Sequence, residues 1–126
     1  MNSMRQAINR SALGPASLSA DSGEQSFCFA EDFIGFAGHF PGYPILPAIL
    51  QTLMAQLVAE QVRGEQLEFL SLERAKFTRE LRPGDPIRVK VSFREAAESL
   101  RCTAELLCGE QSAATFTLSF AAGEPR

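Results

Sequence analysis

Hydrophobic residues cluster in one segment of the chain and alternate with polar residues in others. Between Ala48 and Val62 most positions are apolar, a density typical of a helix that is buried over most of its circumference. Pro47 suits a first helical position because it lacks an N–H group, whereas Arg63 and Gly64 are typical of a helix C-terminus. The pattern predicts one long central helix that begins at Pro47 and closes at Arg63 and Gly64.

Strand-like alternation surrounds this helix. Five stretches show it: residues 24–30, 67–81, 87–94, 100–107 and 113–120. The Pro-Gly-Asp-Pro run at residues 83–86 predicts a turn between the second and third stretches. One helix followed by an antiparallel meander predicts an α+β fold, with a curved antiparallel sheet wrapped around the central helix.

Length and composition favour one globular domain. A chain of 126 residues can bury a hydrophobic core. Residues 1–23 are largely polar, and we expect them to form a poorly ordered or loosely packed N-terminal arm before a domain at residues 24–126. No apolar run is long enough to span a bilayer, and the first residues lack the apolar block of a signal peptide, which predicts a cytoplasmic protein without a membrane partner.

Charge and cysteine content exclude other classes of function. The net charge of -3 argues against nucleic acid as a partner. The three cysteines, Cys28, Cys102 and Cys108, form no paired motif and favour structural thiols. With a single histidine in the chain, a zinc site would lack ligands, so no metal is predicted.

The single histidine is the best clue to chemistry. His39 lies in the run GHFPGYPILP at residues 38–47, directly before the predicted helix. The N-terminus of a helix offers unpaired N–H donors and a partial positive charge. A general base beside such an end can remove a proton next to a carbonyl, while the helix end stabilises the anion that forms. The run therefore predicts the catalytic site, with His39 as the base.

The same run resembles the signature of the hotdog-fold 3-hydroxyacyl-acyl-carrier-protein dehydratases of fatty acid synthesis. Gln56, preceded by Met-Ala, is similar to the Met-Ala-Gln with which the family's helix continues, here shifted by one residue. The runs RAKF at residues 74–77 and RPGD at residues 82–85 resemble the strand and turn that follow the helix in the family. The resemblance covers roughly residues 27–95.

This resemblance implies a hotdog fold and a homodimer with two sites at its interface. It implies no cofactor, because the substrate is carried on the phosphopantetheine of an acyl carrier protein. His39 would remove a proton from C2 of the 3-hydroxyacyl thioester, and the backbone N–H of Ala48 would bind the thioester oxygen. The candidate substrate-binding residues are Phe40, Gly42, Pro47, Gln51, Leu53 and Gln56.

Two positions depart from the family pattern. Ala48 replaces a glycine, and Leu53 replaces the glutamate or aspartate found fourteen residues after the histidine. A leucine cannot transfer a proton, and removal of a general acid typically costs about 10²–10⁴ in rate. Thr52 takes the position in a register shifted by one residue. Gln56 lies on the Leu53 face and could orient a water molecule, whereas Glu60 lies about 10 Å further along the helix.

A basic segment follows the helix. Seven of the twelve basic residues fall between Arg74 and Arg94, either as a solvated sheet face or as a docking surface for an acidic acyl carrier protein. The docking candidates are Arg74, Lys76, Arg82, Arg88 and Lys90.

These features predict a dehydratase-like lyase of fatty acid, specialised lipid or polyketide synthesis, in which His39 also reprotonates the leaving hydroxyl. One alternative is a non-catalytic hotdog subunit that pairs with an active dehydratase. Another is an acyl thioesterase, for which the helix offers no carboxylate near its start. A tunnel for the acyl chain is predicted to be lined by Phe27, Phe29, Phe33, Phe36 and Leu53.

Overall fold

The computed structural model describes residues 3–36, 42, 44–95 and 99–121. The described elements are α1 (Ser3–Arg10), β1 (Ser17–Leu18), β2 (Ser22–Phe27), a 3-10 turn (Ile34–Phe36), α2 (Ala48–Arg63), β3 (Phe69–Phe77), β4 (Ile87–Glu95), β5 (Ser99–Cys108) and β6 (Gln111–Ala121). The strands form one antiparallel sheet in the order β1-β2-β4-β5-β6-β3. This arrangement confirms the predicted α+β class.

Helix α2 packs against β2, β4 and β5. Its sequence is rich in Ala, Leu and Gln, which favour helix over other conformations. Pro47 has an extended backbone, with φ −66° and ψ 152°, so it occupies the N-cap and the first helical residue is Ala48, one position later than predicted. The predicted left-handed C-cap is confirmed at Gly64, whose φ is 73° and whose N–H donates to Glu60 O at 2.7 Å.

The sheet presents one apolar face to α2. In β4, Val89 and Val91 are buried while Lys90 between them is exposed, as the alternation predicts. The fully buried Met54 and Val58 of α2 belong to the same core cluster. Burial of each such side chain contributes about 1.5–3 kcal/mol, so the contact between α2 and the sheet strongly stabilises the fold.

Two predicted strands are longer than the observed ones. The strand predicted at residues 24–30 ends at Phe27, because the following chain leaves the sheet and Phe29 O accepts a hydrogen bond from Gly84 N at 2.9 Å. The strand predicted at residues 67–81 is shortened to Phe69–Phe77. It carries bulges where β3 changes register against β6, and Arg74 within one of them has a φ of 54°.

The N-terminal segment differs from the loosely packed arm that the sequence predicted. Ile8 of helix α1 is fully buried, and β1 extends the sheet by pairing with β2. Arg5 reaches α2, where its two terminal nitrogens donate to the Glu60 carboxylate at 2.7 and 3.2 Å. A helix of eight residues is too short to be recognised from its own periodicity, and this long-range ion pair has no local sequence signal.

All three cysteines lie in the described part of the chain and are unpaired. Burial raises the pKa of the Cys102 thiol to about 12, with a smaller opposing effect of a hydrogen bond that involves the Ser92 backbone. The thiol therefore stays protonated and behaves as a small apolar group, as predicted for a structural cysteine.

The Arg5–Glu60 pair should measurably stabilise the fold. The Arg5 and Glu60 side chains are 26% and 10% exposed, so loss of the guanidinium leaves a largely buried carboxylate without its charged partner. We expect Arg5→Met to lower the free energy of unfolding in urea by about 2 kcal/mol at neutral pH. The matched control Arg101→Met breaks a pair that is 44% and 41% exposed and should cost less than about 1 kcal/mol.

The stabilisation that the Arg5–Glu60 pair provides should depend on pH. Burial alone would raise the pKa of Glu60, but hydrogen bonds from Arg5, Leu67 and Gln56 outweigh it and lower the pKa below that of a free carboxyl group. The stabilisation is therefore complete above the unfolded-state pKa and is lost as the pH falls through the lower folded-state pKa. Equal effects of Arg5→Met and Arg101→Met, or a loss for Arg5→Met that does not shrink in acid, would contradict this assignment.

Candidate active site

An apolar groove runs between the first half of α2 and strand β3. Its volume is about 620 Å³. Helix α2 forms one wall and the first half of β3 forms the other, and the lining residues are Ala48, Ile49, Leu50, Thr52, Leu53, Gln56, Phe69 and Leu72. Grooves of this size and polarity bind apolar ligands, with a few polar groups to orient them.

The groove begins at the N-terminus of α2. The first N–H groups that donate within the helix are those of Leu50 and Gln51, both to Pro47 O at 3.1 Å. Ala48 and Ile49 precede these bonds and are exposed residues, and their N–H groups have no acceptor within the helix. The partial positive charge of the helix end and these donors together can stabilise an oxyanion. The predicted role of Ala48 is therefore compatible with its position.

Leu53 lies within the groove and packs against the core. The position that the family pattern gives to a carboxylate is thus apolar here. Thr52 also lines the groove, but its hydroxyl donates to Ile49 O at 2.7 Å. The carboxylate of Glu60 is held by Arg5, so within the described residues no wall of the groove carries an acidic side chain.

The two glutamines of α2 have different environments. Gln56 lines the groove, and its amide nitrogen donates to Glu60 Oε2 at 3.1 Å and to Leu67 O at 3.0 Å. Gln51 faces a separate cavity of about 340 Å³, together with Pro47. The Gln51 amide nitrogen donates to Leu46 O at 3.1 Å, and its oxygen is buried with no partner among the described residues. The structure therefore places Gln56, and not Gln51, in the groove.

The predicted base His39 and the predicted contact Phe40 lie outside the described residues. The chain is anchored on both sides of them. Before them, Gly35 lies so close to Leu50 that an added Cβ would sit 2.4 Å from its Cδ1 atom. After them, Leu46 N donates to Leu81 O at 2.8 Å. Gly42 is an exposed turn residue with a φ of 80°, a conformation that favours glycine.

The phenylalanines predicted to line a tunnel belong to the core instead. Phe27 and Phe29 are 0% and 1% exposed. The rings of Phe29 and Phe33 lie 4.2 Å apart between centroids, and Phe33 packs edge-on against Phe36. These phenylalanines lie in the core, so Leu53 is the only one of the predicted tunnel residues that lines the groove. Alternation identified the apolar face of β2 but not the element that covers it.

The predicted docking residues do not form one patch. Arg74, Lys76 and Lys90 line a shallow basin of about 930 Å³ on the outer sheet face. Acidic residues share this face: Lys90 lies between Glu24 and Glu105 in the strand register. Arg82 lies near the 83–86 turn and pairs with Glu80 at 3.3 Å, and Arg88 approaches Glu24 at 4.0 Å. Opposite charges on neighbouring strands neutralise much of the expected positive field.

The sequence pattern did not predict the wall of the groove that β3 forms. Phe69 and Leu72 are apolar yet 48% and 40% exposed, and β3 pairs only with β6 among the described strands. The sequence pattern predicted a strand here, but no local signal tells which edge of a sheet is left without a neighbouring strand. Leu70 and Phe77 extend this exposed apolar edge along the strand.

The described residues set two further limits. Among them, no group of three or more His, Cys, Asp or Glu side chains lies close enough to hold a metal ion. No helix in the described ranges is long and apolar enough to cross a membrane.

Comparison with known proteins agrees with this architecture. Residues 16–116 match the ApeI-like family, described as ApeI dehydratase. A 3-hydroxyacyl-acyl-carrier-protein dehydratase, FabZ, of Desulforamulus reducens is 34% identical over 97 residues, which cover 71% of this chain and 68% of the relative. The FabZ of Alkaliphilus metalliredigens is 32% identical over 98 residues, which cover 71% and 67%.

Solved structures share the fold. The dehydratase heterocomplex ApeI:P from Xenorhabdus doucetiae superposes with a TM-score of 0.70 at 23% identity, over 82% of this chain and 90% of the other. The PaaI protein of E. coli superposes with a TM-score of 0.68 at 10% identity, over 95% and 90%. The family match, the identity to FabZ and the sheet wrapped around α2 lead to one conclusion: the chain belongs to the ApeI-like, FabZ-related family of hotdog-fold dehydratases.

Proposed function

We propose that the protein is a lyase that removes water from a 3-hydroxyacyl thioester carried on an acyl carrier protein. The observation that carries this proposal is the groove. It starts at Ala48 and Ile49, whose N–H groups have no acceptor within the helix, and Ala48 lies nine residues after His39 in the sequence. Its apolar walls suit an acyl chain, and the helix end suits the thioester oxygen. The names of the FabZ relatives describe this activity.

His39 acts as the single acid–base group in the proposed reaction. Its imidazole takes the proton from C2, and the thioester becomes an enolate whose oxygen binds the N–H of Ala48. The electron pair then forms the C2–C3 double bond while the bond from C3 to the hydroxyl oxygen breaks. The imidazolium returns its proton to this oxygen, which leaves as water. One group that serves both steps is consistent with a leucine at position 53.

We further propose that the exposed edge of β3 is covered by a second hotdog subunit. On one edge β3 has no partner among the described strands, and the strand exposes Phe69, Leu70, Leu72 and Phe77. An edge of this kind favours pairing with a further strand. A second copy of this chain would give a homodimer. Leu53 also favours a second candidate function, in which this chain is a non-catalytic subunit of an active dehydratase. The structurally similar ApeI:P dehydratase is itself a heterocomplex.

Replacement of Ala48 by proline tests the oxyanion donor. Proline is well tolerated at the first helical position, and Pro47 already has the extended backbone that a residue before proline requires. The substitution removes only the N–H of residue 48, so we expect kcat to fall by about 10²–10³ with little change in the free energy of unfolding. The control Ala48→Gly retains the N–H and should keep activity within about tenfold of wild type. A fully active Ala48→Pro enzyme would exclude this N–H from the mechanism.

Mass spectrometry of acyl carrier proteins loaded with 3-hydroxyacyl groups tests the base. We expect wild type to remove one water from the acyl group and His39→Ala to remove none, because no other imidazole is present in the chain. Hydrolysis of the thioester without loss of water would instead indicate a thioesterase.

A carboxylate at position 53 tests whether the groove is otherwise competent. We expect Leu53→Glu to accelerate dehydration by about 10² because it adds a general acid on the groove wall. Leu53→Gln, of similar size but unable to transfer a proton, is the control. Activity that appears only in Leu53→Glu would favour the non-catalytic subunit, and inactivity of every variant would contradict the dehydratase proposal.

A further inference from the structure

A polar cluster closes the far end of the groove. Gln56 is the last groove residue on α2, and Glu60 follows one turn further along the same helix face. The Glu60 carboxylate accepts hydrogen bonds from Arg5, Gln56 and the backbone N–H of Leu67, at 2.7 to 3.2 Å. The apolar surface of the groove therefore ends at a network that links α2 to α1 and to the segment before β3.

The orientation of the Gln56 amide is determined by its partners. Both the Glu60 carboxylate and Leu67 O can only accept hydrogen bonds, so the amide nitrogen must face them. Among the described residues, no donor reaches the Gln56 oxygen, and this oxygen is not fully buried. Gln56 thus lies at the end of the groove, and its amide nitrogen donates to the polar network.

The network is anchored from outside the groove. Arg5 belongs to α1, and α1 is fixed to the core by the fully buried Ile8. The Glu60 carboxylate is buried and has four hydrogen bonds, and displacement of Gln56 would break one of these and also its bond to Leu67 O. The end of the groove is therefore a fixed wall and not a side chain free to turn aside.

The length of the groove follows from the helix. Ala48 and Gln56 are eight residues apart, which corresponds to about 12 Å along α2. An extended chain of tetrahedral carbons advances about 1.2 Å per bond, as the extended peptide backbone does, so an acyl chain along the helix reaches Gln56 after about ten carbons. A longer chain would have to press methylene groups against the amide and the ion pair, which offer no favourable contact to them.

We propose that Gln56, held by Glu60 and Arg5, is the specificity-determining end wall of the acyl groove and selects acyl chains of about ten carbons or fewer. This inference rests on the proposed function, because it assumes that the acyl chain enters at the N-terminus of α2. It assigns a role in substrate choice to Arg5, which lies far from the groove residues in sequence.

Binding of a graded series of ligands tests the wall without the need for turnover. The ligands are 2-oxoalkyl-pantetheine thioethers with even chains of six to sixteen carbons, and calorimetry on the full-length protein measures Kd. For wild type we expect affinity to rise about fourfold for each added carbon until the chain meets Gln56, and then to stop rising. Gln56→Ala should move this limit outward by two to four carbons and bind the fourteen-carbon ligand at least tenfold more tightly than wild type does.

The control is Gln61→Ala, on the same helix. Gln61 is exposed and its amide nitrogen donates to the Gln25 side chain at 2.9 Å, away from the groove, so the chain-length limit should not change. If Gln56→Ala does not fold by circular dichroism, Gln56→Ser shortens the same side chain and keeps a hydroxyl that can donate to Glu60.

The outcomes separate the inference from the proposed function. If wild type binds the ligands without a limit near ten carbons, or if the shortened Gln56 variants keep the wild-type limit, the proposal that Gln56 is the end wall is contradicted. The proposed acyl site is unaffected by either result. If no ligand of any length binds wild type, both the acyl site and the wall are overturned. An outward shift in the Gln56 variants alone supports the wall.

Discussion

Burial of α2 is the constraint on which the rest of the structure depends. This helix is apolar around most of its circumference, so it is stable only when a sheet covers it on more than one side. Strands β2, β4 and β5 supply this cover, and the alternation in β4 and β5 directs one face of each strand to the helix. The side of the first half of α2 that remains uncovered becomes the groove beside β3. The proposed binding surface is thus the part of the α2 surface that the described strands leave uncovered.

The two ends of this groove differ in their electrostatics. At one end the N-terminus of α2 offers backbone N–H groups and a partial positive charge, without a charged side chain in the first turn. At the other end the Glu60 carboxylate is neutralised by Arg5 and held by Gln56 and Leu67. An apolar groove between an anion-stabilising helix end and a polar far end suits a thioester with an attached acyl chain, which is why the site supports the proposed function.

Leu53 is the residue that separates this chain from the catalytic pattern it resembles. A leucine in an apolar wall has no desolvation cost, whereas a carboxylate there would lose part of its hydration or would need a charged partner. Its presence makes the groove more uniform for an acyl chain and transfers the acid–base work of the proposed reaction to His39. The same feature would suit a subunit that contributes only part of a shared site, and the unpaired edge of β3 offers a surface for such sharing.

The sequence alone determined the features that depend on local periodicity and local chemistry. Density of apolar residues located α2, alternation located β4, β5 and β6, and Gly64 and the 83–86 turn marked where elements end, because these signals arise within one element. The histidine run also identified the family, since its spacing is a local pattern. Tertiary structure alone decided which apolar residues became core and which became groove. Phe29 is buried while Phe69 is exposed, although both are phenylalanines in strand-like sequence. Phe29 packs in the core against Phe33 and Phe36, whereas Phe69 lies on a strand edge that no other described strand covers. Arg5 and Glu60 are far apart in the chain and meet only after α1 has docked, so no local pattern predicts their contact.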